Sequence, residues 1–334
     1  MSKSSRVGLL LSCVGRRVEL IRAFRDAAKQ SRISLEVHGA DASRLSPAMQ
    51  FVDRAHAVPL IKSGDYVAAL KRIVRREHIG LLIPLLDWEL PLIAGAREDF
   101  ASIGCRAVIS SEAVVRTCRD KLATFRALRG AGIDTPDTWT LREVLSRKKH
   151  HFPYFLKPRF GSAAKGNYLV RDRDELHVLA RRVSEPIVQE FVNGVEFTLD
   201  VYTGFDGRPR CVVPRKRLEV RTGEVSKGII VKDAAIMEVG RRVADMLGEG
   251  RGVITVQCML TSKRQIRVIE INPRFGGGAP LSIRAGADFP KWILLQHLGR
   301  RVVIRPHAFT HDLAMLRFDE SVFVRNASRY VSDR

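Results

Sequence analysis

Hydrophobic and polar positions follow two regimes along this chain. Val7 to Leu11 is continuously apolar, the pattern of a strand buried on both faces. Between Arg17 and Lys29, Val18, Ile21, Phe24 and Ala28 recur at helical spacing. The alternation then repeats. Leu35 to Ala40 reads as a strand, Tyr66 to Val74 as a helix, Ile79 to Leu86 as a buried strand, and Arg106 to Ser110 as a short strand. Apolar strands separated by amphipathic helices predict a parallel sheet covered on both faces. Ligands of such sheets sit at the carboxyl ends of the strands. Asp41, Asp87 and Glu89 fall at those ends. The first strand-to-helix turn, Ser12 to Arg16, has one glycine and lacks the Gly-x-Gly-x-x-Gly pattern of a dinucleotide site.

From about residue 116 the pattern changes. A helix is expected over Asp120 to Arg129, stopped by Gly130 and Gly132 with Pro136 beyond. A strand follows at Phe152 to Lys157, closed by Pro158, then a helix at Asp172 to Val183. Ile187–Val192, Glu196–Tyr202 and Arg210–Pro214 read as strands, with Asp206-Gly207 as a hairpin turn. Ile236, Val239, Val243 and Met246 stripe a helix over Lys232 to Leu247. Val253–Leu260 and Gln265–Asn272 form a hairpin around Thr261-Ser262-Lys263-Arg264. The tail offers a last strand pair, Leu313–Phe318 and Val322–Val324. This second part is expected to be α+β with an antiparallel sheet.

Composition narrows the class. A chain of 334 residues suggests more than one domain, and 45% apolar with 28% charged residues is globular. No stretch approaches about 18 consecutive apolar residues, and Arg16 and Arg17 follow the first apolar run without a signal-peptide layout. The five cysteines are scattered and never spaced Cys-x-x-Cys, so reduced thiols in a cytoplasm are expected and a zinc cluster is not. The net charge of +21 favours anionic ligands. The arginines are spread evenly, the densest run (Arg147 to His151) is short, and no aromatic–basic interleaving occurs. Small anions are therefore expected as partners, rather than nucleic acid or membrane.

Candidate chemistry concentrates in the second part. Glu270, Asn272 and Arg274 alternate along a strand and share one face, with Ile269 and Ile271 expected on the other. A carboxylate, an amide oxygen and a guanidinium on one face suit a hard cation beside phosphate oxygens. Gln257, on the facing strand of the hairpin, adds a third oxygen donor. Lys157 ends an apolar strand and precedes a small-residue loop, Gly161 to Gly166, whose free backbone N–H groups suit phosphate. It is not a Walker loop, because Asn167 follows Gly166. Lys121 sits in the first turn of its helix, a solvated position or a cation reaching for phosphate. Gln189 to Glu196 joins two strands as a charged connector or as an edge for a purine base.

In this order, Lys121, Lys157 with its glycine loop, Gln189 to Glu196, Gln257 and Glu270-x-Asn272-x-Arg274 resemble an ATP-grasp ligase over roughly residues 116–300. Val-Ile-Glu-Ile-Asn-Pro-Arg most resembles the large chain of carbamoyl-phosphate synthetase and related stand-alone amino-acid ligases. The resemblance implies a Rossmann-like pre-ATP-grasp domain (1–115), an ATP-grasp lid (116–185), a nucleotide and metal subdomain (186–305) and a C-terminal strand pair (306–334). It implies ATP and Mg²⁺ as cofactors, with two ions and Mn²⁺ as a substitute. Lys121, Lys157, Gly161, Ser162, Ala163, Lys165 and Gly166 would meet the phosphates. Gln189, Glu190, Phe191 and Val192 would hold adenine and Glu196 the ribose. Several relatives carry Glu at the Gln189 position, which sets the backbone contact to adenine above the side-chain one. Gln257, Glu270 and Asn272 would hold the metal, and Arg274 the transferring phosphoryl group.

The implied activity joins a carboxylate to an amine through an acylphosphate, which requires no protein nucleophile. Consistently, the chain has no Gly-x-Ser-x-Gly elbow. Arg215 and Arg217 are candidates to clamp the acylphosphate, as is Lys227, and Arg284 is a second carboxylate candidate. Asp87 and Glu89 are candidates for a substrate ammonium, or capped strand ends. Two alternatives stand beside this reading. One is phosphorylation of bicarbonate or carbamate, disfavoured by a single ATP-grasp unit. The other is a non-catalytic nucleotide- or nucleic-acid-binding protein. A homodimer is compatible with the sequence.

Overall fold

The computed structural model describes residues 6–161, 164–221 and 223–330. Its first sheet is wholly parallel, with strands β1 (Arg6–Ser12), β2 (Ser34–Asp41), β3 (Arg54–Ala57), β4 (Leu81–Pro84) and β5 (Arg106–Ala107) in the order β3-β2-β1-β4-β5. Helices Val18–Gln30 and Tyr66–Arg76 are the long crossovers. The order reverses between β1 and β4, so the crevice outside the carboxyl ends of these two strands is the place where a doubly wound sheet takes a ligand.

Two antiparallel sheets follow. The smaller holds β6 (Thr138–Thr140), β7 (Tyr154–Pro158), β8 (Tyr168–Val170) and β9 (Pro186–Glu190), in the order β6-β9-β7-β8. The larger holds β10 (Val195–Thr203), β11 (Pro209–Arg221), β12 (Glu224–Ile230), β13 (Gly252–Leu260), β14 (Ile266–Asn272) and β15 (Ala314–Leu316), in the order β14-β13-β10-β11-β12-β15. The expected fold class, a parallel α/β unit followed by an antiparallel α+β unit, is the one observed.

Some boundaries differ for physical reasons. The strand expected at Arg210–Pro214 runs on to Arg221 and pairs with β12, which the sequence does not announce. Charged residues crowd both strands, because one face of this hairpin borders a cavity instead of a core. In the tail only Ala314–Leu316 is strand, laid on Lys227–Ile229 of β12, and Val322–Val324 is not a strand. The strand expected at Ile79–Leu86 shortens to four residues, since Leu85 and Leu86 turn to donate their backbone N–H groups to the Glu89 carboxylate.

One apolar core joins the first sheet to the large one. Phe24, on the inner face of the first helix, is fully buried and meets Phe275 edge-on at 6.3 Å. Phe275 follows β14. The contact therefore seats the carboxyl ends of β1 and β4 over the end of β14. Losing so large a buried ring costs about 3–5 kcal/mol.

Candidate active site

A cavity of about 530 Å³ opens where the three sheets meet. Its walls come from the β1 and β4 ends, from the lid strands β7 and β9, and from β10, β11, β13 and β14. The strand β14 carries a bulge that alters the expected face. Gln257 pairs with Glu270, but Cys258 pairs with Val268, which leaves Ile269 as the extra residue. Ile271 points into the core as expected. Ile269 is instead turned to the cavity wall beside Glu270, Asn272 and Arg274. The sequence pattern alone assigns Ile269 to the core, and the bulge overturns that.

Two lysines stand at the lid side. Lys157 is buried, and its ammonium donates to Gln189 Oε1 at 2.9 Å. Burial pulls its pKa down to about 8, against the raising influence of Glu270 and with a further lowering from Lys121. Gln189 spends its amide N–H on Thr138 Oγ1 at 2.8 Å, so its side chain orients Lys157 at the cavity wall. Lys121 donates to the carbonyl of Gly161 at 2.9 Å and so holds the start of the glycine loop. Asp120 caps that helix, accepting from Leu122 and Ala123, and takes Arg159 on both oxygens. This carboxylate offsets the cation placed in the first turn. Gly161 and Lys165 line the cavity. Gly166 does not, although its φ of +75° and its approach to Pro158 favour glycine there. Ser162 and Ala163 lie outside the described residues.

The connector after β9 presents Glu190, Phe191 and Val192 to the cavity. The Glu190 carboxylate is occupied by Arg267 at 2.6 Å and by the backbone N–H of Asp137. Glu196 accepts from Arg217 at 2.6 Å, and burial raises its pKa against that pairing. Gln257, with its amide nitrogen toward Glu270, donates to Oε2 at 2.7 Å and accepts from Arg217 Nη1 at 2.5 Å. The reverse orientation would set oxygen against oxygen. To offer its oxygen to a cation, this amide must turn over. Among the described residues no three His, Cys, Asp or Glu side chains converge on a metal. One carboxylate and two amides fit an ion that draws its remaining ligands from phosphates and water, as Mg²⁺ does.

At the far end the cavity is lined by arginines. Arg274 donates to both oxygens of Asp87, at 2.8 and 2.6 Å, and to the carbonyl of Phe275. Asp87 is thus a counter-ion rather than a free seat for a substrate ammonium. Arg215 is buried, forked onto Asp200 at 2.8 and 3.0 Å, and Asp200 also accepts from Ser282. Arg215 Nη1 remains without a partner at the cavity wall, and so does Nε of Arg217.

Three expected substrate residues lie elsewhere. Glu89 is fully buried and accepts from Tyr66 and from the backbone of Leu85 and Leu86, so it caps a strand end. Lys227 faces away on β12 and pairs with Glu219 at 2.7 Å. Arg284 lines a separate surface depression beside the first helix. Conversely, Arg17, Thr198, Thr255 and Glu224 line the cavity without having been singled out, and Gly276 to Gly278, the turn that follows the Glu270-x-Asn272-x-Arg274 strand, line it too. The signal for Arg17 was present: it ends the connection from β1, at the carboxyl edge used to select Asp87.

The same architecture recurs in known proteins. Residues 9–109 match the PylC-like N-terminal domain and residues 118–278 match the ATP-grasp domain. The 3-methyl-D-ornithine–L-lysine ligase of Methanosarcina acetivorans is 23% identical over 269 residues, covering 79% of this chain and 67% of its own. The formate-dependent phosphoribosylglycinamide formyltransferase of Bacteroides thetaiotaomicron is 28% identical over 254 residues, covering 69% of this chain and 62% of its own. The chain thus spans about two thirds of the length of these relatives. The L-amino acid ligase of Bacillus licheniformis superposes with a TM-score of 0.68 at 20% identity, covering 87% of this chain and 74% of its own. The ADP complex of the Staphylococcus aureus N5-carboxyaminoimidazole synthetase does so at 0.69 and 17%, covering 91% and 80%. These superpositions establish the fold. The chain thus carries an ATP-grasp domain with a PylC-like domain ahead of it, and the proteins it is similar to include ATP-grasp ligases.

Proposed function

We propose that the protein is an ATP-dependent carboxylate–amine ligase. The observation that carries this reading is the single cavity itself. It holds two lysines at one end, Glu270 and Asn272 in the middle, and arginines at the other. ATP would enter with its base along Glu190 to Val192, its ribose near Glu196 and its phosphates toward Lys157 and Lys121. Glu270 and Asn272, joined by Gln257 once its amide turns, would hold Mg²⁺. When bound, that ion neutralises phosphate charge. A carboxylate oxygen of the acid attacks the γ-phosphorus. The new O–P bond forms as the bond to ADP breaks. The amine nitrogen then attacks the acyl carbon, the C–N bond forms, phosphate leaves and the amine sheds a proton. Arg274, Arg215 and Arg217 stabilise the negative charge that gathers on the transferring group.

The partition at residues 115, 185 and 305 belongs to this proposal, as do a cytoplasmic location, a possible homodimer, the number of ions and tolerance of Mn²⁺. The test is an ADP-release screen of amino acids, singly and in pairs, with Mg²⁺–ATP. Release should require a pair and vanish in Glu270→Ala. ADP release in no pairing, or full turnover by Glu270→Ala at saturating Mg²⁺, refutes the reading.

A further inference from the structure

Arg17 has no assigned role, yet it reaches the active-site cavity from the parallel domain. It follows β1 at the point where the strand order reverses, opposite Leu85 to Asp87 at the end of β4. Its side chain is 18% exposed, and the nearest carboxylate recorded for it, Glu224, lies 3.7 Å away, beyond hydrogen-bond reach, with Asp87 acting from farther off. Glu224 gives its closer contact, 3.1 Å, to Arg317. Burial, with Arg274 and Arg317 nearby, pulls the Arg17 pKa to about 10, which leaves it charged at neutral pH. A largely buried guanidinium held only by a long ion pair is costly unless something anionic completes the site.

A second observation points to the same place. Arg215, with a side chain 1% exposed, keeps Nη1 unpartnered. That nitrogen lies 2.1 Å from where a Cβ on Gly278 would sit, and Arg17 Nη1 lies 2.9 Å from the equivalent point on Gly277. The two guanidiniums therefore flank one glycine turn, and only glycines leave the space between them open.

We propose that Arg17 and Nη1 of Arg215 form an oxyanion seat for the acid substrate. It takes the carboxylate before transfer and the phosphate released after it. The proposal rests on the ligase reading and adds to it a specificity residue supplied by the parallel domain. An acid bound there points its carboxylate from the Gly277–Gly278 turn toward Arg274, Glu270 and Asn272.

The test is calorimetric titration of inorganic phosphate into protein saturated with Mg²⁺–ADP. Arg17→Met should weaken phosphate by about tenfold or more, the loss expected for a charge-assisted hydrogen bond, with ADP affinity unchanged. Arg17→Lys should fall between, since it keeps the charge and loses the fork. It also serves as the readout should Arg17→Met fail to fold. Arg16→Met is the control: its side chain is 74% exposed, and it should bind phosphate as wild type does. Acetate, added in excess, should displace phosphate from the wild type. Equal phosphate affinity in wild type and Arg17→Met overturns the seat, as does an equal loss in Arg16→Met. Phosphate that acetate cannot displace overturns its assignment to the carboxylate. Should Mg²⁺–ADP itself not bind, the ligase reading fails separately, and the Arg17 comparison is then read with phosphate alone.

Discussion

Removing Asp87 should expose how the parallel domain holds Arg274. Asp87→Ala takes away both acceptors of the Arg274 fork, at 2.8 and 2.6 Å. Both side chains are largely buried, 15% exposed for Arg274 and 19% for Asp87. Two unit charges about 4 Å apart attract by roughly 4 kcal/mol at the effective dielectric near a protein surface. Stripping one partner from a buried pair costs about 3–5 kcal/mol. Glu270 and Glu224 also act on Arg274 and would keep part of its stabilisation. A loss of about 2–3 kcal/mol is therefore expected, equal to a melting point lowered by roughly 3–4 °C. Differential scanning calorimetry of wild type, Asp87→Ala, Arg274→Ala and the double variant closes a thermodynamic cycle. The cycle should return a coupling of about 1–3 kcal/mol. Additive losses, with no coupling, would show that the pair does not tie the two domains. Nucleotide affinity should hold in Asp87→Ala, because the lysine end of the cavity is untouched.

Two further outcomes are expected. Gly278→Ala would drive a methyl group into Arg215, 2.1 Å from Nη1, and into Val225, forcing the fork off Asp200. It should lose about 3 kcal/mol or more, on the scale of a broken buried ion pair, and a melting curve matching wild type would refute the close packing. The second outcome concerns the buried pair His38 and His56, whose ring nitrogens are 3.0 Å apart. Arg76 can only donate to His56 Nδ1, so His56 carries its proton on Nε2 and gives it to His38, with both rings neutral. Burial, reinforced by His38, holds His56 down at about 4, and burial lowers His38 as well. Below pH 6.5 the unfolded chain takes up protons that the folded pair refuses, so stability falls as pH drops from 6.5 toward 4. His56 alone should cost about 2 kcal/mol by pH 5. Thermal melts at pH 7 and pH 5 should show the loss in wild type and a flatter response in His56→Gln, and equal slopes would contradict it.

Much of this protein was legible in one dimension. Periods of two and 3.6 separate the parallel unit from the antiparallel one, because each period records which face of an element is buried. The chemical residues of the ATP-grasp domain could be picked out because polar groups in otherwise apolar strands need a reason to be there. Lys157, Gln257, Glu270 and Asn272 are of this kind, and all four border one cavity. Pairing lay beyond the sequence. Asp87 and Glu89 look alike as acids at a strand end, yet one is forked onto Arg274 and the other is sealed beneath Tyr66. Their side-chain partners lie 187 and 23 residues away, beyond the reach of any local pattern. Ile269 obeys alternation in sequence and escapes it through a bulge set by the partner strand. Arg17 reads as the end of a turn and becomes a cavity residue only when helix Val18–Gln30 packs its Phe24 against Phe275. Element type and residue chemistry are properties of short stretches, governed by local burial. Which charges neutralise one another, and which is left unpaired to meet a substrate, is decided only when distant segments share one low-dielectric space.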